Sequence, residues 1–63
     1  MTTQNMKQIQ EQLPAGARIL RAYKAMEGDI RIIARHKGET HETRYTVARW
    51  DVENDYPHIE LMP

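Results

Sequence analysis

At 63 residues the chain is long enough for one domain and too short for two. Nine Lys and Arg balance nine Asp and Glu, and there is neither cysteine nor serine, which excludes disulfides, thiolate metal sites and the commonest nucleophiles. A chain this short buries a small share of its surface, so oligomerisation is its expected support and a homodimer is anticipated. The longest apolar runs are two or three residues, as at Ile32-Ile33-Ala34, so neither a leader nor a membrane span is expected and the reading is of a cytoplasmic protein.

Residues 3–13 read as a short amphipathic helix, with Met6, Ile9 and Leu13 on one stripe, Thr3 as cap and the glutamines facing water. Pro14-Ala15-Gly16 ends it. About three turns of helix are marginal alone in water, so this one should form by docking.

Residues 17–50 read as a three-stranded antiparallel meander centred on residues 29–37, where Ile30, Ile32, Ala34 and His36 alternate with Asp29, Arg31, Ile33, Arg35 and Lys37. Glu27-Gly28 as a two-residue loop would set Ala25 opposite Ile30, Tyr23 opposite Ile32, Arg21 opposite Ala34 and Ile19 opposite His36. On the other side, Gly38-Glu39 as a type II′ turn would set Ala34 opposite Thr43, Ile32 opposite Tyr45 and Ile30 opposite Val47. Ile19, Tyr23, Ala25, Ile30, Ile32, Ala34, Tyr45 and Val47 then face the helix. Arg18, Leu20, Lys24, Arg31, Ile33, Arg35, Glu42, Arg44, Ala48 and Trp50 face away.

Residues 17–50 carry eight of the nine basic residues against four acidic ones, whereas residues 51–63 carry four acidic residues and no Lys or Arg. Residues 51–63 show no helical period, and Pro57 limits any strand there to an edge, so they read as an extended acidic arm, with 58–62 able to add as a fourth strand. The expected architecture is therefore α+β: one domain, residues 1–63, with helix 3–13, sheet 17–50 and acidic arm 51–63.

No Gly-rich phosphate loop or HExxH pattern occurs, and a chain this small barely forms a pocket, so no enzyme and no cofactor are expected. In the expected register His36 and His41 face each other near a hairpin tip and, with His58, offer the only arrangement resembling a metal site, though exposed loop histidines are seldom ligands and no metal is assigned. A face carrying Arg18, Lys24, Arg31, Arg35, Arg44 and Trp50 fits either a protein partner or a nucleic acid. The protein partner explains more, because open sheet edges and an arm bearing Asp51, Glu53, Asp55 and Tyr56 also suit it. Nucleic-acid binding through the same basic face is the alternative.

Overall fold

The helix is capped one residue earlier than anticipated. In the computed structural model, which describes residues 1–63, helix α1 spans Thr3–Gln12 with Thr2 as its N-cap. The Asn5 N–H donates to Thr2 Oγ1 at 3.1 Å and the Thr2 N–H donates to Asn5 Oδ1 at 3.1 Å, a reciprocal box that satisfies amides the helix itself leaves free. After Pro14 the chain reverses in a turn closed by the Ala17 N–H on the Pro14 carbonyl at 3.0 Å. Gly16 holds the third position at φ +85°, and a Cβ there would lie 2.9 Å from Lys37 Cδ. Gly16→Ala is expected to cost about 1–3 kcal/mol in urea unfolding, from positive-φ strain plus that contact. Gly28→Ala, at φ +99° with nothing within 4 Å, carries the backbone strain alone and should cost less.

Four strands follow, not three: β1 (Arg18–Lys24), β2 (Ile30–Arg35), β3 (Thr43–Asp51) and β4 (Tyr56–Leu61), antiparallel in the order β1-β2-β3-β4. The anticipated acidic arm is thus largely a strand. Val52 to Asp55 make the reversal between β3 and β4, with Asp55 at φ +50°. Pro57 sits on the outer edge, where it withholds no donor from β3. Removing residues 51–63 would delete a quarter of the sheet, not uncover a surface.

The second hairpin pairs as its alternation requires, Ile32 with Tyr45 and Ala34 with Thr43. Its turn differs: the Glu39 N–H donates to the His36 carbonyl at 3.1 Å, which places Gly38 (φ +82°) third in the turn instead of first in a type II′ loop. The first hairpin is displaced by one residue. Ala25 donates to the Asp29 carbonyl at 2.7 Å, and Lys24 pairs with Ile30, Ala22 with Ile32 and Tyr23 with Arg31. A bulge at Leu20 then brings Ile19 opposite Ala34. Consequently Tyr23 and Arg21 turn away from the helix, and Ala22 and Lys24 turn towards it.

One layer of core lies between α1 and the sheet. Ile9, Leu13, Ala17, Ile32, Ala34 and Tyr45 form it, with Ile19, Ala22, Ile30 and Ile59 packed around them. Ile9, Ile32 and Ala34 are wholly enclosed. No helix is long and apolar enough to cross a membrane.

The helix also closes one edge of the sheet. Gln12 Nε2 donates to the Pro57 carbonyl at 2.7 Å, and Gln12 Oε1 accepts from the Ile59 N–H at 3.0 Å, so one side-chain amide meets β4 as a neighbouring strand's peptide would. Asn5 Nδ2 adds bonds to Gln8 Oε1 at 3.0 Å and to the Asp55 carbonyl at 3.3 Å. Asn5 and Gln8 are buried and Gln12 half-buried. The glutamines at 8 and 12 therefore do not face water: on the helix Asn5, Gln8 and Gln12 form a polar stripe against β4, beside the apolar one.

Candidate interaction surface

The sheet face away from the helix has no layer over it. Cross-strand rows there bring Tyr23 beside Arg31 and Thr46, Arg21 beside Ile33 and Arg44, and Arg18 beside Arg35. Ile33 is only 2% exposed although no element covers it; its cross-strand neighbours are Arg21 and Arg44, residues whose aliphatic stems commonly shield an apolar neighbour. The long aliphatic stems thus complete a thin second core, and their charged ends form the surface.

The arginines divide by what they bind. Arg31 is held by Glu27 and Asp29, the latter at 3.4 Å, and donates to Thr46 Oγ1 at 3.0 Å, so this mostly covered side chain ties the first loop to β3. Arg21 pairs with Glu42 at 3.1 Å, an exposed contact of small energetic weight. Arg18, Arg35, Arg44 and Arg49 make no ion pair. Of the six residues expected on this face, Arg18, Arg35 and Arg44 stand there as free cations and Arg31 is neutralised.

The other two belong elsewhere. Lys24 lies opposite Ile30 on the helix side, at the mouth of a groove with Met1, Met6 and Ala22. Trp50 is turned by a second bulge, between Val47 and Arg49, which sets it opposite Pro57 on the helix side; its Nε1–H donates to Asp55 Oδ1 at 3.0 Å. Each bulge inverts the alternation beyond it, which period-two reading cannot anticipate. Arg21 and Tyr23 were missed for the same reason.

Most of the tail residues are bound into the fold. Asp51 accepts from the Asn54 side chain at 2.9 Å and the Asn54 N–H at 3.2 Å, which hold its carboxyl below the usual carboxylate range. Tyr56 packs against His58 with the rings tilted by 49° and their centres 4.9 Å apart, and its hydroxyl donates to Glu11 Oε1 at 2.9 Å. Glu53 is exposed on the β3–β4 turn and makes no ion pair. Asp51, next to Trp50, alternates onto the arginine side of the sheet but at the β3–β4 end, beside the Arg49 charge.

At the hairpin tip β2 ends at Arg35 and β3 begins at Thr43, so His36 and His41 are not ladder partners. Glu39 Oε2 stands 3.1 Å from His41 Nε2 and 3.8 Å from His36 Nδ1, while His36 Nε2 and the Tyr45 hydroxyl share a hydrogen bond of 2.6 Å. No group of three such side chains is arranged to hold a metal ion. Comparison with models of known protein families, with curated proteins and with solved structures yields no match. The surface is accordingly read from its own chemistry.

Burial, then the nearby Glu39 charge, raises the Tyr45 pKa above 10.0; burial, then the bond to Glu11, raises that of Tyr56. Both groups are protonated when the fold is most stable, so their contribution is whole below about pH 10 and is lost as pH rises through the folded values. The urea midpoint should be level from pH 7 to about 9 and then fall, and the fall should be shallower in Tyr45→Phe. An equal fall in that variant would assign the alkaline limb to other groups.

Proposed function

We propose that this chain is a non-enzymatic binding module that engages another protein through the uncovered arginine face and the β1 edge beside it. The observation that carries the reading is the set of unpaired cations Arg18, Arg35 and Arg44 around Ile33 on a face with no covering layer. Arginine with long apolar stems and an exposed aromatic, here Tyr23, is the composition enriched at protein interfaces. The loss of Trp50 from this face removes one anchor but leaves the cations in place.

Nucleic-acid binding is the second reading, favoured by the direct juxtaposition of Arg18 and Arg35 and by the absence of any carboxylate arm over them. The two separate in one titration. At low salt, a carboxylate-rich peptide should perturb the Arg18, Arg35 and Arg44 amide resonances at least as strongly as a single- or double-stranded oligonucleotide of equal charge. An oligonucleotide binding about tenfold tighter than the peptide, with affinity falling steeply in salt and lost in the Arg18→Ala, Arg35→Ala, Arg44→Ala variant, would install the nucleic-acid reading instead.

A further inference from the structure

The two edges of the sheet are finished differently. Along β4 the outward-pointing groups of Pro57, Ile59 and Asp55 are occupied by Gln12 and Asn5. Along β1 no element lies beyond the strand. Because the Ala25 N–H points inward to Asp29, alternation directs the backbone groups of Ala22 and Lys24 outward. An open edge is a template for another strand.

Its two sides have opposite character. On the helix side a mostly apolar groove of about 660 Å³ runs beside β1, lined by Met1, Met6, Ala22, Tyr23 and Ile30 with Lys24 at its mouth, because α1 leans towards β4 and leaves this end of the core half-covered. On the other side the same strand presents Arg18 and Arg21, with Arg35 next to them. A second copy of the chain fits poorly. Two-fold pairing of β1 with itself about Arg21 sets Arg21 opposite Arg21 and Arg18 opposite Lys24. Pairing about Ala22 or Tyr23 still leaves Arg21 or Lys24 diagonal to its own copy, so like charges gather across the ladder in each of these registers.

We infer that β1 takes up an extended segment of a partner protein as a fifth strand, one whose side chains alternate between acidic and apolar. Alternation follows from the pleat: successive side chains of an added strand go to opposite faces, apolar ones into the Met6 and Ala22 groove and carboxylates over Arg18, Arg21 and Arg35. This inference rests on the protein-binding reading above and specifies its partner.

The test uses the full chain and three synthetic peptides of about eight residues, the length of an ordinary strand. One alternates Glu with Val or Ile, one is a scramble of the same composition, and one carries Lys for Glu. Expected are binding of the alternating peptide about tenfold tighter than either control, a comparable loss in Arg18→Glu, Arg35→Glu, and slowed hydrogen exchange at the Ala22 and Lys24 amides. Ala22→Pro, which removes one outward donor, should abolish binding; the charge-reversed variant keeps the test decisive should that one fail to fold. Equal binding of the scramble, or no protection at Ala22 and Lys24, would overturn strand addition while leaving the arginine face as a binding surface. Binding of none of the peptides would sink both readings. Protection of those amides by self-association alone would assign the edge to a second copy.

Discussion

Replacing Gln12 with leucine is expected to lower the unfolding free energy by about 2–4 kcal/mol, since two largely shielded backbone groups, the Pro57 carbonyl and the Ile59 N–H, lose their only partner. That is a large part of the total for a domain of this size, for which about 3–9 kcal/mol is ordinary. The same change bares the β4 edge, so light scattering should show association that grows with protein concentration. Gln12→Glu is the more diagnostic variant. Its carboxylate still accepts from Ile59 but has no proton for Pro57, and protonation restores the donor. The folded-state pKa of the new carboxyl is therefore raised, and its stabilising form is present below the usual glutamate range and lost as pH rises. The deficit relative to the parent protein should shrink from pH 7 to about pH 4. A deficit constant over that interval would mean that the bond to the Pro57 carbonyl contributes little.

Ile32→Ala should be at least as damaging, with a loss of about 3–4 kcal/mol and a fall in Tm of roughly 20–30 °C. Ile32 is wholly enclosed at the centre of the sheet, under Ile9 and beside Ala22 and Tyr45, where nothing can move in to fill the space. Ile33, one residue on, is almost as hidden but lies on the uncovered face between Arg21 and Arg44, which carry long flexible stems. Those stems can settle into the vacancy, so Ile33→Ala should cost less than half as much. Urea unfolding of the two variants side by side decides the matter, and equal losses would mean that the arginine side is packed as tightly as the helix side.

The contrast between neighbouring isoleucines was visible in the alternation of residues 29–37, and so was the pairing of β2 with β3. Both depend on a strict period of two, which a sheet half-covered by a helix enforces. What the alternation concealed were the two bulges. The extra residue at Leu20 and the one between Val47 and Arg49 reverse the faces beyond them, moving Tyr23 and Lys24 across the sheet and taking Trp50 off the arginine side. β4 was obscured by Pro57, whose presence argues against a central strand and is harmless at an edge. The amide stripe of Asn5, Gln8 and Gln12 had a signal that went unused. Spacings of three and four place these residues in one row, and such a row of side chains able both to donate and to accept suits an exposed strand as well as it suits solvent.

The bonds that tie α1 to β4 join residues 45 to 50 positions apart, near opposite ends of the sequence. Closing so long a loop consumes chain entropy before any contact offsets it, so docking should come late and proceed slowly for so small a domain. On a ribosome, α1 would wait unstructured until β4 had cleared the exit tunnel. The helix, though made before the sheet, would be among the last elements to acquire its shape.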